Sequence, residues 1–273
     1  MLEGRDVPAP QDAFVMGRVY WADVLQAHQR ELRKILDIAH APKEASPDEP
    51  LWRRLVKRAT ETLRREESRL IAEFIGDIIG YRNESTRRAI YQTFPLALLG
   101  LKQQLPEGRK KAPLTIISHS LGTVISSDYV WDAAKARHRE GRRGFHRHWR
   151  LDNFFTLGSP MALFALQYGG AKAFNQPIVL ESAAGRWVNV FDTNDPVSMP
   201  LRPLNAAYRR TVLADAEVDA GPYLLAHTRY FLNDTTIRII SRKLALDWCV
   251  GQRRLPAATL RRLAADYDAT LGA

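Results

Sequence analysis

Pro113-Leu114-Thr115-Ile116-Ile117-Ser118-His119-Ser120-Leu121-Gly122 is the stretch that decides how this chain folds. Residues 113–119 are an apolar run rich in β-branched side chains, the pattern of a buried strand. From Leu121 to Arg139 the sequence reads as a helix. A strand that gives way to a helix within one residue must turn sharply. The residue at the apex, Ser120, then has its hydroxyl pushed out of the sheet. Such a turn is crowded, so the positions two before and two after must be small. They are Ser118 and Gly122, with His119 between. The pattern small-x-Ser-x-Gly is weak alone. Its place between strand and helix gives it weight.

The same alternation continues downstream. Leu151 to Leu157 (LDNFFTL) predicts a second strand, ended by Gly158-Ser159-Pro160. Arg186 to Phe191 (RWVNVF) predicts a third, and Thr211 to Val218 alternates as a fourth. Residues 234–248 and 256–271 read as closing helices. Strands alternating with helices predict an α/β fold with a mostly parallel sheet covered by helices on both faces. Upstream, Phe14 to Trp21 (FVMGRVYW) reads as a strand and Ala22 to His40 as a helix. From Leu51 an apolar stripe through Trp52, Leu55, Leu63, Phe74 and Ile78 predicts a helical block, with Gly80 as its stop. Ser85 to Gln104 reads as another helix, interrupted or kinked at Pro95. The expected organisation is one domain over 1–273. It has a loose lead-in at 1–13, a proline-rich linker at 41–50, a helical cap or flank at 51–105, and a core at 113–273.

Of 273 residues, 45% are hydrophobic and 26% charged, ordinary values for a globular protein. No apolar run reaches the length that crosses a bilayer, and the N-terminus lacks the pattern of a secretory signal. Cys249 is the only cysteine, so no disulfide forms within the chain, and a cytoplasmic location is expected. It sits in apolar LDWCV and reads as a core residue. Lys and Arg number 40 against 30 acids, a net charge of +10. Solvated arginine-rich helix faces account for that excess; contact with an anionic membrane surface is the sharper alternative. The basic loop GRRGFHRHWR carries no nucleic-acid motif with it, so no nucleic-acid partner is expected. His146 and His148 have no Cys or acid at ligand spacing, so no metal is expected.

A serine hydroxyl attacks only when a base takes its proton, and the base is oriented by a carboxylate. With the nucleophile on a strand-to-helix turn, the chain order is Ser, acid, His. His138, His146 and His148 come too early. His227, in LLAHTRYF after the Gly221-Pro222 turn, is the candidate base, expected on a mobile loop at the sheet edge. Asp195 is the candidate acid: it precedes Pro196, which keeps it out of helical backbone and on a loop. Asp192 is the alternative, with turn capping as its ordinary role. Asp215 and Asp219 are weaker candidates. The backbone N–H of Leu121 supplies one donor for an oxyanion. A second donor commonly comes from a His-Gly segment after an earlier strand, and no His-Gly pair occurs in the 273 residues.

Four blocks now stand in order: ISHSLGTVISSDYVWD, FFTLGSPMALFAL, VNVFDTNDPVSMPLRPLN and AHTRYFLND. Together they resemble α/β-hydrolases of the lipase and esterase type. The likeness is closest to the DDHD-domain intracellular phospholipases and their bacterial relatives. Upstream FIGDIIGYRN is also similar, so the resemblance covers roughly residues 65–245. It implies an α/β-hydrolase-type sheet and a serine esterase or lipase that needs no cofactor. The roles fall on Ser120, Asp195 and His227. Asp128 matches an acid common in the family and reads as structural. Gly158-Ser159-Pro160 resembles a supporting loop near the active-site floor. The bacterial relatives carry a strand and an HGIG-like loop before the segment resembling VYWADVL, and no such loop precedes it here. Two functional expectations result. One is hydrolysis of a carboxylic, lipid-like ester through an acyl-enzyme. The other is a catalytically weak hydrolase-fold protein that binds an anionic membrane surface or a protein partner.

Overall fold

The computed structural model describes residues 9–26, 30, 34, 76–78, 80–106, 111–167, 169–252 and 255–272. They fall into two compact units, one within 1–14 and 105–273, the other within 15–104. The labelled helices are α1 (Pro10–Ala13), α2 (Glu84–Gln103), α3 (Leu121–Arg139), α4 (Met161–Gln167), α5 (Ala206–Thr211), α6 (Tyr223–Arg229), α7 (Asp234–Gly251) and α8 (Ala257–Thr270). The strands are β1 (Ala112–His119), β2 (Trp149–Leu157), β3 (Arg186–Phe191) and β4 (Ala214–Glu217).

The larger unit is an α/β sandwich. Its four strands lie in the order β1-β2-β3-β4, and every neighbouring pair is parallel. Parallel neighbours need a crossover, and right-handed crossovers taken in one direction put their helices on one face. The segments after β4 must cover the other face. The side chains divide accordingly. Phe155 and Leu157 of β2, with Val188 and Val190 of β3, form a core with Ile239 of α7, Ala226 and Tyr230. Phe154 and Trp187, one residue out of phase, carry the other face. There Trp187 packs edge-on against Tyr208 of α5, with ring centroids 5.7 Å apart.

The β1–β2 register slips between Leu114 and Thr115, so that Leu114 faces Leu151 while Thr115 faces Asn153. Asp152 is the extra residue of that bulge. Its carbonyl presses on Gly185 so closely that a Cβ there would lie 2.1 Å from it. Only glycine fits beside the bulge.

Several boundaries move from those expected. Thr211 closes α5, and the fourth strand is only Ala214–Glu217. The Asn205 side chain accepts from the N–H groups of Ala207 and Tyr208, and this cap starts a helix that takes Thr211 from the expected strand. The second strand starts at Trp149, inside the basic loop.

Residues 14–21, all but Phe14 in the smaller unit, are irregular, not a strand, with Val15, Met16, Val19 and Tyr20 exposed. A lone extended segment has no ladder to stabilise it, and the described residues of this unit contain no strand to pair with. Residues 22–26, 30 and 34 are helical, as expected for that segment. The 41–50 linker and most of the 51–78 stripe lie outside the described residues; 76–78 are helical. Gly80 does not stop its helix, which runs on to Arg82. A glycine inside a helix costs only about 1 kcal/mol. The break comes at Asn83, whose side chain caps α2 through Ser85 and Thr86. Pro95 lies inside α2, and the helix continues through it. No helix among the described residues is long and apolar enough to cross a membrane.

Candidate active site

Ser120 joins β1 to α3 with φ 53° and ψ −135°, a left-handed backbone on a residue that carries a side chain. Such a conformation costs of order 1–3 kcal/mol and persists only when its surroundings hold it. They do so at both ends of the turn. The Ser120 N–H donates to the Leu157 carbonyl at the end of β2, 2.9 Å away. The Ser120 carbonyl accepts from Thr123 Oγ1 at 2.7 Å. Thr123 is bonded in turn to Ser159 Oγ at 2.7 Å. Ser118 and Ser126 bring β1 and α3 together through a 2.8 Å hydroxyl contact. Gly122 is buried in the first turn of α3. The strand-turn-helix expectation therefore matches the geometry residue by residue.

His227 Nε2 lies 2.7 Å from Ser120 Oγ. Its Nδ1 lies 2.8 Å from Asp195 Oδ2. An ionised carboxylate only accepts, so Nδ1 carries the proton and Nε2 turns its lone pair to the Ser120 hydroxyl. The three sequence-derived candidates are thus joined by two hydrogen bonds at the C-terminal ends of the strands. His227 stands on helix α6, not on a mobile loop as expected. Gly221-Pro222 does turn the chain, but Pro222 takes the cap position and the helix starts right after it.

Asp195 is buried, with a side chain 0% exposed. Oδ1 accepts from the Val197 N–H at 3.0 Å. Oδ2 also accepts from the Tyr230 hydroxyl at 2.9 Å. Burial pushes the carboxyl up, but the His227 bond and charge, the Val197 N–H and the Tyr230 hydroxyl outweigh it and hold it below its ordinary value. Burial likewise drives the Tyr230 hydroxyl far above its usual range, so it stays a donor. Asp192 serves the backbone instead, accepting from Asn194 N–H at 2.7 Å and Ala220 N–H at 2.6 Å. Asp215 is spent on Asn189, Leu201 and Arg202, and Asp219 on the Gly221 N–H.

His119 does more than fill the elbow. Its Nε2 lies 2.5 Å from the His227 carbonyl, and since a carbonyl only accepts, Nε2 donates. The two imidazole rings are tilted with centroids 4.9 Å apart. Burial, then the neighbouring His227, lower the His119 pKa to about 4, so the ring is neutral at pH 7. Leu121 occupies the first position of α3, where helix geometry leaves its N–H without an intrahelical acceptor. That N–H and the positive end of the α3 dipole stand next to Ser120.

No family model matches this chain, and neither a curated protein nor a solved structure does. Within Gly158-Ser159-Pro160, Ser159 Oγ is bonded to Thr123 Oγ1, and Gly158 lies against Asp195 and Tyr230. The charge of Asp128 lies beside Tyr208. Among the described residues no group of three or more His, Cys, Asp or Glu side chains is placed to hold a metal ion. Tyr230 is a site residue that the sequence reading misses. Its signal is its spacing, three residues after His227, which returns it to the same side of a helical turn.

Proposed function

We propose that this protein is a serine hydrolase of the α/β-hydrolase type that cleaves a carboxylic ester through an acyl-enzyme. The observation that carries the reading is the hydrogen-bonded chain from Ser120 through His227 to Asp195, with Ser120 on a strained strand-to-helix turn. His227 Nε2 takes the Ser120 proton as Oγ attacks the ester carbonyl. Asp195 holds the imidazole tautomer and stabilises the imidazolium. The Leu121 N–H and the α3 N-terminus face the oxyanion that forms. Collapse expels the alcohol, which takes its proton from His227. Water, activated by the same imidazole, then releases the acid.

A lipid-like substrate is favoured by what surrounds His227. Tyr223, Leu225, Phe231 and Leu232 are large apolar side chains left exposed on α6 and the turn after it, Leu232 at 77%. The same residues, with the net charge of +10, support a second reading: binding to an anionic membrane surface with weak or no catalysis. Hydrolysis of p-nitrophenyl esters of graded acyl length separates the two. The expected result is turnover that Ser120→Ala reduces by about 1000-fold or more. Turnover that survives Ser120→Ala unchanged would refute the assignment. Cosedimentation with anionic vesicles at low salt, without turnover, would favour the second reading.

A further inference from the structure

We infer that Tyr230 is a positioning residue that governs how strongly Asp195 holds the His227 imidazole, by competing for the same carboxylate oxygen. The inference rests on the reading of Ser120, His227 and Asp195 as the reacting chain. Asp195 Oδ2 receives two donors, His227 Nδ1–H at 2.8 Å and the Tyr230 hydroxyl at 2.9 Å. Oδ1 receives the Val197 N–H. Tyr230 is 0% exposed, so no water replaces its hydroxyl.

Its slot is cut by Gly158. This residue has φ +56°, and a Cβ there would lie 2.7 Å from Tyr230 Cε2 and 3.2 Å from Asp195 Oδ2. Three segments therefore converge on one oxygen: the end of β2, the loop after β3 and the turn after α6. The titratable groups around it are His227 from α6 and Tyr230 from the turn, which bond it, and His119 from β1, which feels its charge; the Asp192 carboxylate is turned to the Asn194 and Ala220 N–H groups. Among the described residues no lysine or arginine pairs with Asp195.

A neutral donor on Oδ2 draws negative charge away from the imidazole and fixes the carboxylate plane. The hydroxyl bond thus weakens the hold of Asp195 on the imidazolium that forms when His227 takes the Ser120 proton. Remove the hydroxyl and Asp195 grips the imidazole harder.

Tyr230→Phe keeps the ring and deletes only the hydroxyl. The expected result is that the acid limb of the kcat/KM profile for a p-nitrophenyl ester moves up by about half a pH unit to one unit. The Nδ1 proton of His227 should also move downfield in the proton NMR spectrum. A merely structural role would lower kcat at all pH values and leave the limb in place, and that result would overturn the inference. A wild-type measurement needs no variant. A slowly exchanging Tyr230 hydroxyl proton close to the His227 Nδ1 proton is expected, and its absence from folded protein would also overturn it. These spectra do not depend on turnover. Correct spectra in an inactive wild type would sink the catalytic reading, whereas an active wild type with an unmoved Tyr230→Phe limb would sink this one.

Discussion

Asp247 and Asp195 lie toward opposite ends of the same sheet face and keep different company. Near the N-terminal ends of the strands, Asp247 pairs with Lys243, a lysine only 2% exposed, and accepts from Asn153 Nδ2 at 2.7 Å. Asn153 reaches on to Thr115 and to the Arg186 N–H, and Arg186 is forked onto Asp268. Each buried charge there meets an opposite charge. Burial still lowers the Lys243 pKa, with Asp247 opposing it. At the C-terminal ends Asp195 meets no lysine or arginine among the described residues. Its partners are an N–H, a hydroxyl and an imidazole. Neutral donors keep the carboxylate ionised without cancelling it. In the proposed mechanism its charge remains available when a positive charge develops on His227. One end pairs its charges, and the other surrounds a carboxylate with neutral donors.

The same substitution at both ends breaks this contrast. Asp195→Asn should leave the protein folded and cut ester hydrolysis by about 10⁴-fold, because an amide no longer selects the imidazole tautomer. Steady-state kinetics on purified variants checks it; a loss below tenfold would mean that Asp195 is not the orienting acid. Asp247→Asn should do the reverse. Leaving Lys243 buried without its counter-charge should cost about 3 kcal/mol in urea unfolding. The kcat should stay within about twofold of wild type, since Asp247 has no contact with the reacting chain.

A smaller effect sharpens the contrast further. His119 has a pKa lowered to about 4, so the folded state resists a proton that the unfolded chain accepts near pH 6.5. Its contribution is fully present above pH 6.5 and is lost as the pH falls from there toward 4. Between pH 7 and pH 5 this amounts to roughly 2 kcal/mol. His146, also lowered to about 4, adds to the same window. Asp195 acts lower down. Its depressed pKa stabilises above the ordinary carboxylate value, and that contribution is lost only as the pH falls below that value. Urea titrations at pH 7 and pH 5 should therefore show a shallower loss in His119→Gln than in wild type. Equal losses would place His119 outside this account.

Much of the candidate site was legible in the sequence. Strand, turn and helix around Ser120 are local, and the small residues flanking it follow from crowding. Asp195 is marked by Pro196, and His227 by chain order. The partners were not legible. Tyr230 reaches Asp195 only because Gly158, some seventy residues earlier, leaves room for its ring. His227 reads as a loop residue because α6 has only two turns, too few to show a helical period. The charge-paired end is hidden for a different reason. Lys243 and Asp247 are four apart on a predicted helix, a spacing that usually marks a surface pair. The burial of Lys243 comes from the sheet face that α7 covers, through contacts distant in sequence.

The central claim is that Ser120 is an activated nucleophile. Labelling the purified protein with a fluorophosphonate probe and mapping the modified peptide by mass spectrometry tests it most directly. The account predicts a single adduct on Ser120, abolished by His227→Ala in a variant that remains folded. Folded wild-type protein that stays unlabelled, or that is labelled at another residue, would contradict it.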